Sequence, residues 1–437
     1  MLTVSSSFCR RATMGIRAAN KNSLRAGSPA AFSSTAATAA SDKNRNVVIV
    51  GGVRLPFAMT STIYKDELAV DLQRLAITGL LTQTALPPDQ IDYVIAGNVI
   101  QEVRTSNIAR EAAVNAGLPY HIGAHTVAQA CISANAAIAS GAERILSGHA
   151  DVVLAGGCET FSDVPIRLTR PVRQKLIALP KAMKKGGPVG AIRHMARGLK
   201  AKHIALETPA IANYTTGEVM GVSSDKLSAK FGVSRQEQDE FTVRSHTLAQ
   251  KAHDDGFYDE EIVPYKGSIV ENGIKGNSTI ESVGKLKPAF IKPHGTHTAA
   301  NSSYLTDGAS MSLIMSEEKA LELGYKPLAY LRDWSFRACD PWEELLLGPT
   351  YCSHEIMQRN KLGLSDMGVF EIHEGNSCCA VSLPKILIAR TFVFLTSVFV
   401  TINDPHPNTR YSKKYCIPTI TRSLCGSDFV EFDSNEQ

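Results

Sequence analysis

Two rhythms of apolar and polar positions take turns along residues 45–374. Asn46-Val47-Val48-Ile49-Val50-Gly51-Gly52 is a short apolar run closed by glycines, the pattern of a buried strand. Leu68, Leu72, Leu75, Ala76 and Leu80 then recur at helical spacing, which predicts a helix over 69–82, and Pro87-Pro88 breaks the chain after it. Ile91 to Gly97 reads as a second strand, and Asn107 to Ala116 as a helix of small residues ended by Gly117. Ala124-His125-Thr126-Val127 is a third short strand; it leads into Cys131 and a helix over 133–146, with a fourth strand over 151–157. Strands alternating with helices predict an α/β unit around a largely buried sheet.

The character changes between 165 and 295. Residues 167–202 hold 11 Lys or Arg and no acid, with Leu176, Ile177, Leu179, Ile192, Met195 and Leu199 interleaved at roughly helical spacing. Ser234-Arg235-Gln236-Glu237 is a capping box, so a long polar helix should run from there to about His253 and stop near Gly256. The α/β pattern resumes near Ala300, with strands expected over 309–316, 328–331 and 368–374 and a helix over 353–362. The predicted organisation is a leader over 1–44, a first α/β half over 45–165, a helical loop domain over 166–295, the start of a second half over 296–374 and a divergent tail over 375–437.

Charge changes the reading of the N-terminus. The first 41 residues carry Arg10, Arg11, Arg17, Lys21 and Arg25, no Asp or Glu, and many Ser, Ala and Thr. That is the composition of a mitochondrial transit peptide, with a disordered basic tail as the plainer alternative. Removing those five cations takes the formal charge from +4 to −1, so the basic balance is no argument for a nucleic-acid partner. Nine cysteines form no C-x-x-C pair and no metal-ligand spacing, so no metal is expected. In the reducing matrix no disulfide is expected either.

Among the cysteines, Cys131 has the setting for chemistry. A strand runs into it, and the helix that follows, Ser133-Ala134-Asn135-Ala136-Ala137 onward, is almost all small residues. A thiol at a helix N-terminus feels the positive end of the dipole, which favours the nucleophilic thiolate. A buried structural cysteine is the competing reading from these residues alone.

The motifs in order along the chain resemble those of the thiolase family. They are Gly51-Gly52-Val53-Arg54-Leu55-Pro56-Phe57, Gly97-Asn98-Val99-Ile100-Gln101, Asn107-Ile108-Ala109-Arg110, Cys131-Ile132-Ser133-Ala134-Asn135 and Ala155-Gly156-Gly157-Cys158-Glu159. Ser234 to Asp239, Thr298-Ala299-Ala300-Asn301-Ser302-Ser303 and Leu305-Thr306-Asp307-Gly308-Ala309 follow, so the resemblance covers about residues 45–374. Val99 to Val103, Ser162 to Arg167, Lys285 to Pro293 and His373-Glu374 are most similar to the branch that forms the thiolase (beta) subunits of mitochondrial trifunctional proteins.

The resemblance implies a five-layered αβαβα fold of two similar halves. It also implies thiolytic cleavage of a 3-ketoacyl-CoA by CoA in mitochondrial fatty-acid β-oxidation. Cys131 is the implied nucleophile, His373 an implied donor of the oxyanion hole, and Ser303 an implied contact to the pantetheine arm; CoA is a substrate, and no cofactor is implied. For His373 a satisfied strand-end histidine is an equal reading, and for Ser303 a plain turn residue. Implied partners are a second copy of the chain and a hydratase/dehydrogenase alpha subunit. The basic stretch 167–202 has three readings: a solvated face, cations for CoA phosphates, or peripheral contact with the anionic inner membrane. The alternatives in function are an acetoacetyl-CoA thiolase and a non-catalytic subunit that binds acyl-CoA or a partner.

After Glu374 the resemblance stops. The family continues to a Gly-His-Pro motif, whose His deprotonates the nucleophile, and to a glycine-rich stretch with a second Cys that protonates the leaving enolate. Here Gly375-Asn376-Ser377-Cys378-Cys379 follows, and Gly-His-Pro occurs nowhere. Ile386 to Ile402 is a 17-residue apolar run with an internal Arg390, a marginal membrane span. The C-terminal half therefore reads as incomplete, and the last 63 residues as an aberrant splice or gene-model ending that lacks the acid/base pair.

Overall fold

The computed structural model describes residues 45–200, 203–369, 371–373 and 375, and the backbone of 401–402. The leader and nearly all of the divergent tail, including the 386–402 run up to residue 400, lie outside the described residues.

The expected α/β architecture is what these residues form. The elements are β1 (Val47–Arg54), β2 (Ala58–Met59), α1 (Ala69–Thr84), β3 (Tyr93–Gly97), α2 (Ile108–Asn115), β4 (Gly123–Val127), α3 (Ser133–Leu146) and β5 (Val152–Glu159). Next come β6 (Arg167–Leu168), α4 (Arg170–Ala196), β7 (Leu206–Glu207), α5 (Met220–Phe231), α6 (Arg235–Asp254) and α7 (Ile280–Gly284). The series ends with β8 (Thr306–Ser316), α8 (Glu317–Glu322), β9 (Ala329–Leu331), α9 (Gly348–Asn360) and β10 (Thr401–Ile402).

One mixed sheet runs β10-β9-β1-β8-β5-β3-β4, with β2 also paired to β8. Every residue of β1, β5 and β8 is buried, as strands covered on both faces must be; β1 and β5 are largely apolar, while β8 buries Asp307, Ser310 and Ser312 as well. One core, built on α1 and α2, includes Leu72, Ile77, Leu80 and Ile108 against Val94, Leu154 and Leu313. The other places Ala134, Ala137, Ile138 and Ile145 of α3 against Ile95, Val153 and Ile314. β8 pairs antiparallel with β1 on one side and β5 on the other. The strand expected to open a second half thus lies in the middle of the first sheet, and residues 166–295 leave and re-enter that sheet between β5 and β8.

Residues 368–373 differ from expectation: those described form no strand. A strand needs a neighbour to take its backbone groups, and no described strand pairs with this segment. In α4, Gly186 and Gly187 leave helical geometry, with φ −136° and 60°. The two arms fold together, with Lys175 Nζ donating to the His194 carbonyl at 2.8 Å and His194 Nε2 lying 3.1 Å from the Lys175 carbonyl. The antiparallel β6–β7 pair forms the base of this hairpin.

Candidate functional site

Cys131 stands at the turn between β4 and α3, and the turn is built tightly. Ala130 has φ 48°, a left-handed conformation costly for a residue with a side chain. Ser133 secures it: its hydroxyl accepts from the Gln129 N–H at 2.8 Å and donates to the Ala130 carbonyl at 2.6 Å. The Ile132 and Ser133 N–H groups close back onto the Gln129 and Ala130 carbonyls at 3.3 and 3.2 Å. Cys131 is left half-buried, one residue before the Ile132 cap of α3, where the dipole of a 14-residue helix favours a thiolate.

Glycines let α3 come down onto the sheet. A Cβ on Gly97 would lie 2.4 Å from the Ser133 carbonyl carbon and 2.5 Å from the Ala134 nitrogen, and one on Gly157 would lie 3.1 Å from the Ala134 Cβ. The N-terminal turn of α3 therefore rests on the ends of β3 and β5 with no side chain between. Beyond β3 the chain is held by Glu159, buried at the end of β5. Its carboxylate accepts from the Val99 N–H at 2.9 Å and from Asn98 Nδ2 at 3.0 Å. Burial pushes its pKa up to about 7 although these donors favour the anion. Cys158 beside it is buried in the core, and burial raises its thiol well above the ordinary range.

The other two candidates belong to a second cluster. Ser303 ends a loop ordered by side chains: Asn301 Oδ1 accepts from the Thr298 N–H at 2.7 Å, and Asn301 Nδ2 donates to Asp239 at 3.2 Å. The Ser303 N–H donates to the Gly375 carbonyl at 3.1 Å, which ties this loop to the segment carrying His373. The His373 ring folds back beside Gly375, where a Cβ would lie 3.2 Å from Nε2. Burial pushes the His373 pKa down to about 4, so the ring is neutral near pH 7 and can offer one N–H without carrying charge. The structure thus joins Ser303 to the His373 segment, while Cys131 is placed by the separate β4–α3 turn. Among the described residues no group of three or more His, Cys, Asp or Glu is arranged to hold a metal.

Residues 47–318, more than half of the chain, match the family described as "Thiolase, N-terminal domain". The chain belongs to the thiolase family. It is 50% identical over 353 residues to the human trifunctional enzyme subunit beta, mitochondrial, covering 80% of this chain and 73% of that protein. It is 48% identical over 359 residues to a probable 3-ketoacyl-CoA thiolase of Caenorhabditis elegans, covering 80% and 79%. Among solved structures, Bacillus anthracis acetyl-CoA acetyltransferase matches with TM-score 0.68 at 30% identity, covering 79% of this chain and 84% of that one. Human mitochondrial 3-ketoacyl-CoA thiolase in complex with CoA matches with TM-score 0.69 at 26% identity and the same coverage.

Gly97, Asn98 and Glu159 stand in the sequence as motif letters without a role. The seating of α3 on Gly97 and the hold of Glu159 on Asn98 and Val99 depend on contacts across the sheet, which periodicity does not carry. A buried Ser224–His297–Asp225 cluster beneath the Ser303 loop carried no signal at all.

Proposed function

We propose that this thiolase-family chain acts on 3-ketoacyl-CoA in mitochondrial fatty-acid β-oxidation, with Cys131 as its covalent nucleophile. The observation that carries the reading is the Ser133-braced turn that sets Cys131 before the α3 N-terminus. Its thiolate attacks the 3-keto carbon, and the bond between carbons 2 and 3 breaks. Acetyl-CoA leaves as an enolate that must gain a proton, and the acyl group stays on sulfur. The thiol of a second CoA then takes the acyl group, giving an acyl-CoA two carbons shorter. Neutral His373 donates to the thioester oxygen where enolate charge develops, and Ser303 meets the pantetheine arm. Thiolysis by the full chain beside Cys131→Ala tests the assignment: turnover lost with the mutation supports it, and turnover retained removes Cys131 from the mechanism.

One observation favours a second reading. The 437 residues hold no Gly-His-Pro motif, so the family's acid/base pair has no counterpart at matching positions. A subunit that binds acyl-CoA and carries the acyl group on Cys131 without full turnover would show CoA binding and no thiolysis.

The α4 hairpin supports peripheral contact with an anionic inner-membrane surface. Ile177 is 80% exposed and Ile192 70% exposed, and both stand among the 11 cations of 167–202. No helix among the described residues is long and apolar enough to cross a membrane. Flotation with liposomes tests this: binding that needs anionic lipid supports it, and equal binding to neutral lipid, or none to either, removes it. Relatives named as mitochondrial trifunctional enzyme beta subunits support a mitochondrial location and pairing with an alpha subunit. The sheet edge at β4 supports pairing with a second copy, and β5–β8 pairing supports reading 166–295 as an insertion.

A further inference from the structure

Beneath the Ser303 loop lies a sealed relay of three polar side chains. His297 Nδ1 lies 2.8 Å from Asp225 Oδ1, and His297 Nε2 lies 2.8 Å from Ser224 Oγ. These are the distances of a nucleophile, a base and its orienting carboxylate. Ser224 and His297 are both 0% exposed, however, so no substrate reaches the hydroxyl, and the group has another use.

That use follows from what else the carboxylate holds. Asp225 sits on α5, and its Oδ1 accepts the Thr296 N–H at 2.8 Å and the His297 N–H at 3.0 Å, while Oδ2 accepts the Ile291 N–H at 3.2 Å. A Cβ on Gly295 would lie 2.4 Å from Oδ2, so the loop lies directly on the carboxylate. Two ring bonds pin His297 to α5 at adjacent residues. Six positions later the same loop delivers Ser303, whose N–H reaches the Gly375 carbonyl beside His373. Between them, Asn301 Nδ2 donates to the Thr296 carbonyl at 3.1 Å, so the anchored end and the delivering end are hydrogen-bonded to each other.

We propose that His297, clamped between Asp225 and Ser224, is the positioning residue that sets the 296–303 loop against the His373 segment and thereby fixes the affinity for CoA. The Nδ1–H tautomer lets the ring donate to Asp225 and accept from the Ser224 hydroxyl, so the clamp works with a neutral ring. Removing the ring leaves a buried carboxylate and a buried hydroxyl each short of a partner, and the loop is what must move to rehydrate them. The proposal rests on the reading of Ser303 as a CoA contact.

The test compares the full chain with His297→Leu, His297→Asn and Ser303→Ala, by amide hydrogen exchange and by equilibrium dialysis with CoA. His297→Leu should speed exchange in 296–303 on the order of tenfold to a hundredfold while β8 stays protected, and should weaken CoA binding on the order of tenfold. His297→Asn keeps an N–H for Asp225 and should recover most of both losses, which a general loss of stability would not. Unchanged exchange in 296–303 overturns the clamp. Faster loop exchange with unchanged CoA affinity overturns the link to CoA; if Ser303→Ala is then also silent, the fault lies in the reading of Ser303, and if it weakens binding, the fault lies in His297.

Discussion

Replacing Gly97 with alanine puts a methyl group against backbone. The new Cβ would stand 2.4 Å from the Ser133 carbonyl carbon, 2.5 Å from the Ala134 nitrogen and 2.6 Å from the Ser133 oxygen. Ordinary contact begins near 3.4 Å, so relief requires α3 to retreat by about 1 Å from the end of β3. No flexible side chain can absorb this, because all three atoms are main chain. Overpacking of this kind costs about 1–3 kcal/mol, which lowers the melting temperature by roughly 1–3 °C in a chain of this size. The displaced turn carries Cys131, and a misplacement near 1 Å costs on the order of a hundredfold in a positioned reaction. Thermal unfolding, and the rate of Cys131 alkylation by iodoacetamide followed by peptide mass, would be measured on wild type and variant. Wild-type melting and wild-type alkylation together would refute the close seating of α3 on the sheet.

Ser133→Ala leaves the Gln129 N–H and Ala130 carbonyl without their hydroxyl partner, and should cost about 1–3 kcal/mol in denaturant unfolding. It should also slow alkylation of Cys131. Glu159 predicts a pH dependence. Its pKa is raised from 4.5 to about 7 in the fold, so its contribution to stability is complete below 4.5 and is lost as pH rises to about 7. The loss is about 3 kcal/mol; Glu159→Gln should flatten that slope in unfolding curves taken between those limits. His373, held near pKa 4 instead of 6.5, has the opposite sign: its contribution is complete above 6.5 and declines as pH falls toward 4. A wild-type limb of activity or CoA binding near pH 6.5 that disappears in His373→Gln would contradict the neutral-donor role.

The legible parts of the fold were the local ones. Helix α3 follows its expected span of 133–146, because small residues and a flanking strand bound it on both sides. The capping box at Ser234 forms as read, with Glu237 reaching back to the Ser234 N–H at 2.8 Å. Helix α9 starts at Gly348 instead of 353, since Gly348-Pro349 reads as a break although proline fits the first turn of a helix. The place of β8 between β1 and β5 was not legible, because pairing partners far apart in sequence leave no periodic trace.

The candidate site divides the same way. Motif order pointed to Cys131, Ser303 and His373. The supports around them, Ser133 under the turn, Glu159 behind Asn98 and Asp225–His297 beneath the loop, depend on burial and three-dimensional contact. A carboxyl raised to about 7 by burial looks in sequence like any other Glu.

The most direct test of the account is to trap the acyl group. The full chain would be mixed with a 3-ketoacyl-CoA and CoA-free buffer, quenched in acid, digested and mapped by mass. The account predicts an acyl adduct on the Cys131 peptide that disappears when CoA is added before the quench and never forms in Cys131→Ala. A folded, CoA-binding chain that stays unmodified at Cys131, or that carries the acyl group on another residue, would contradict it.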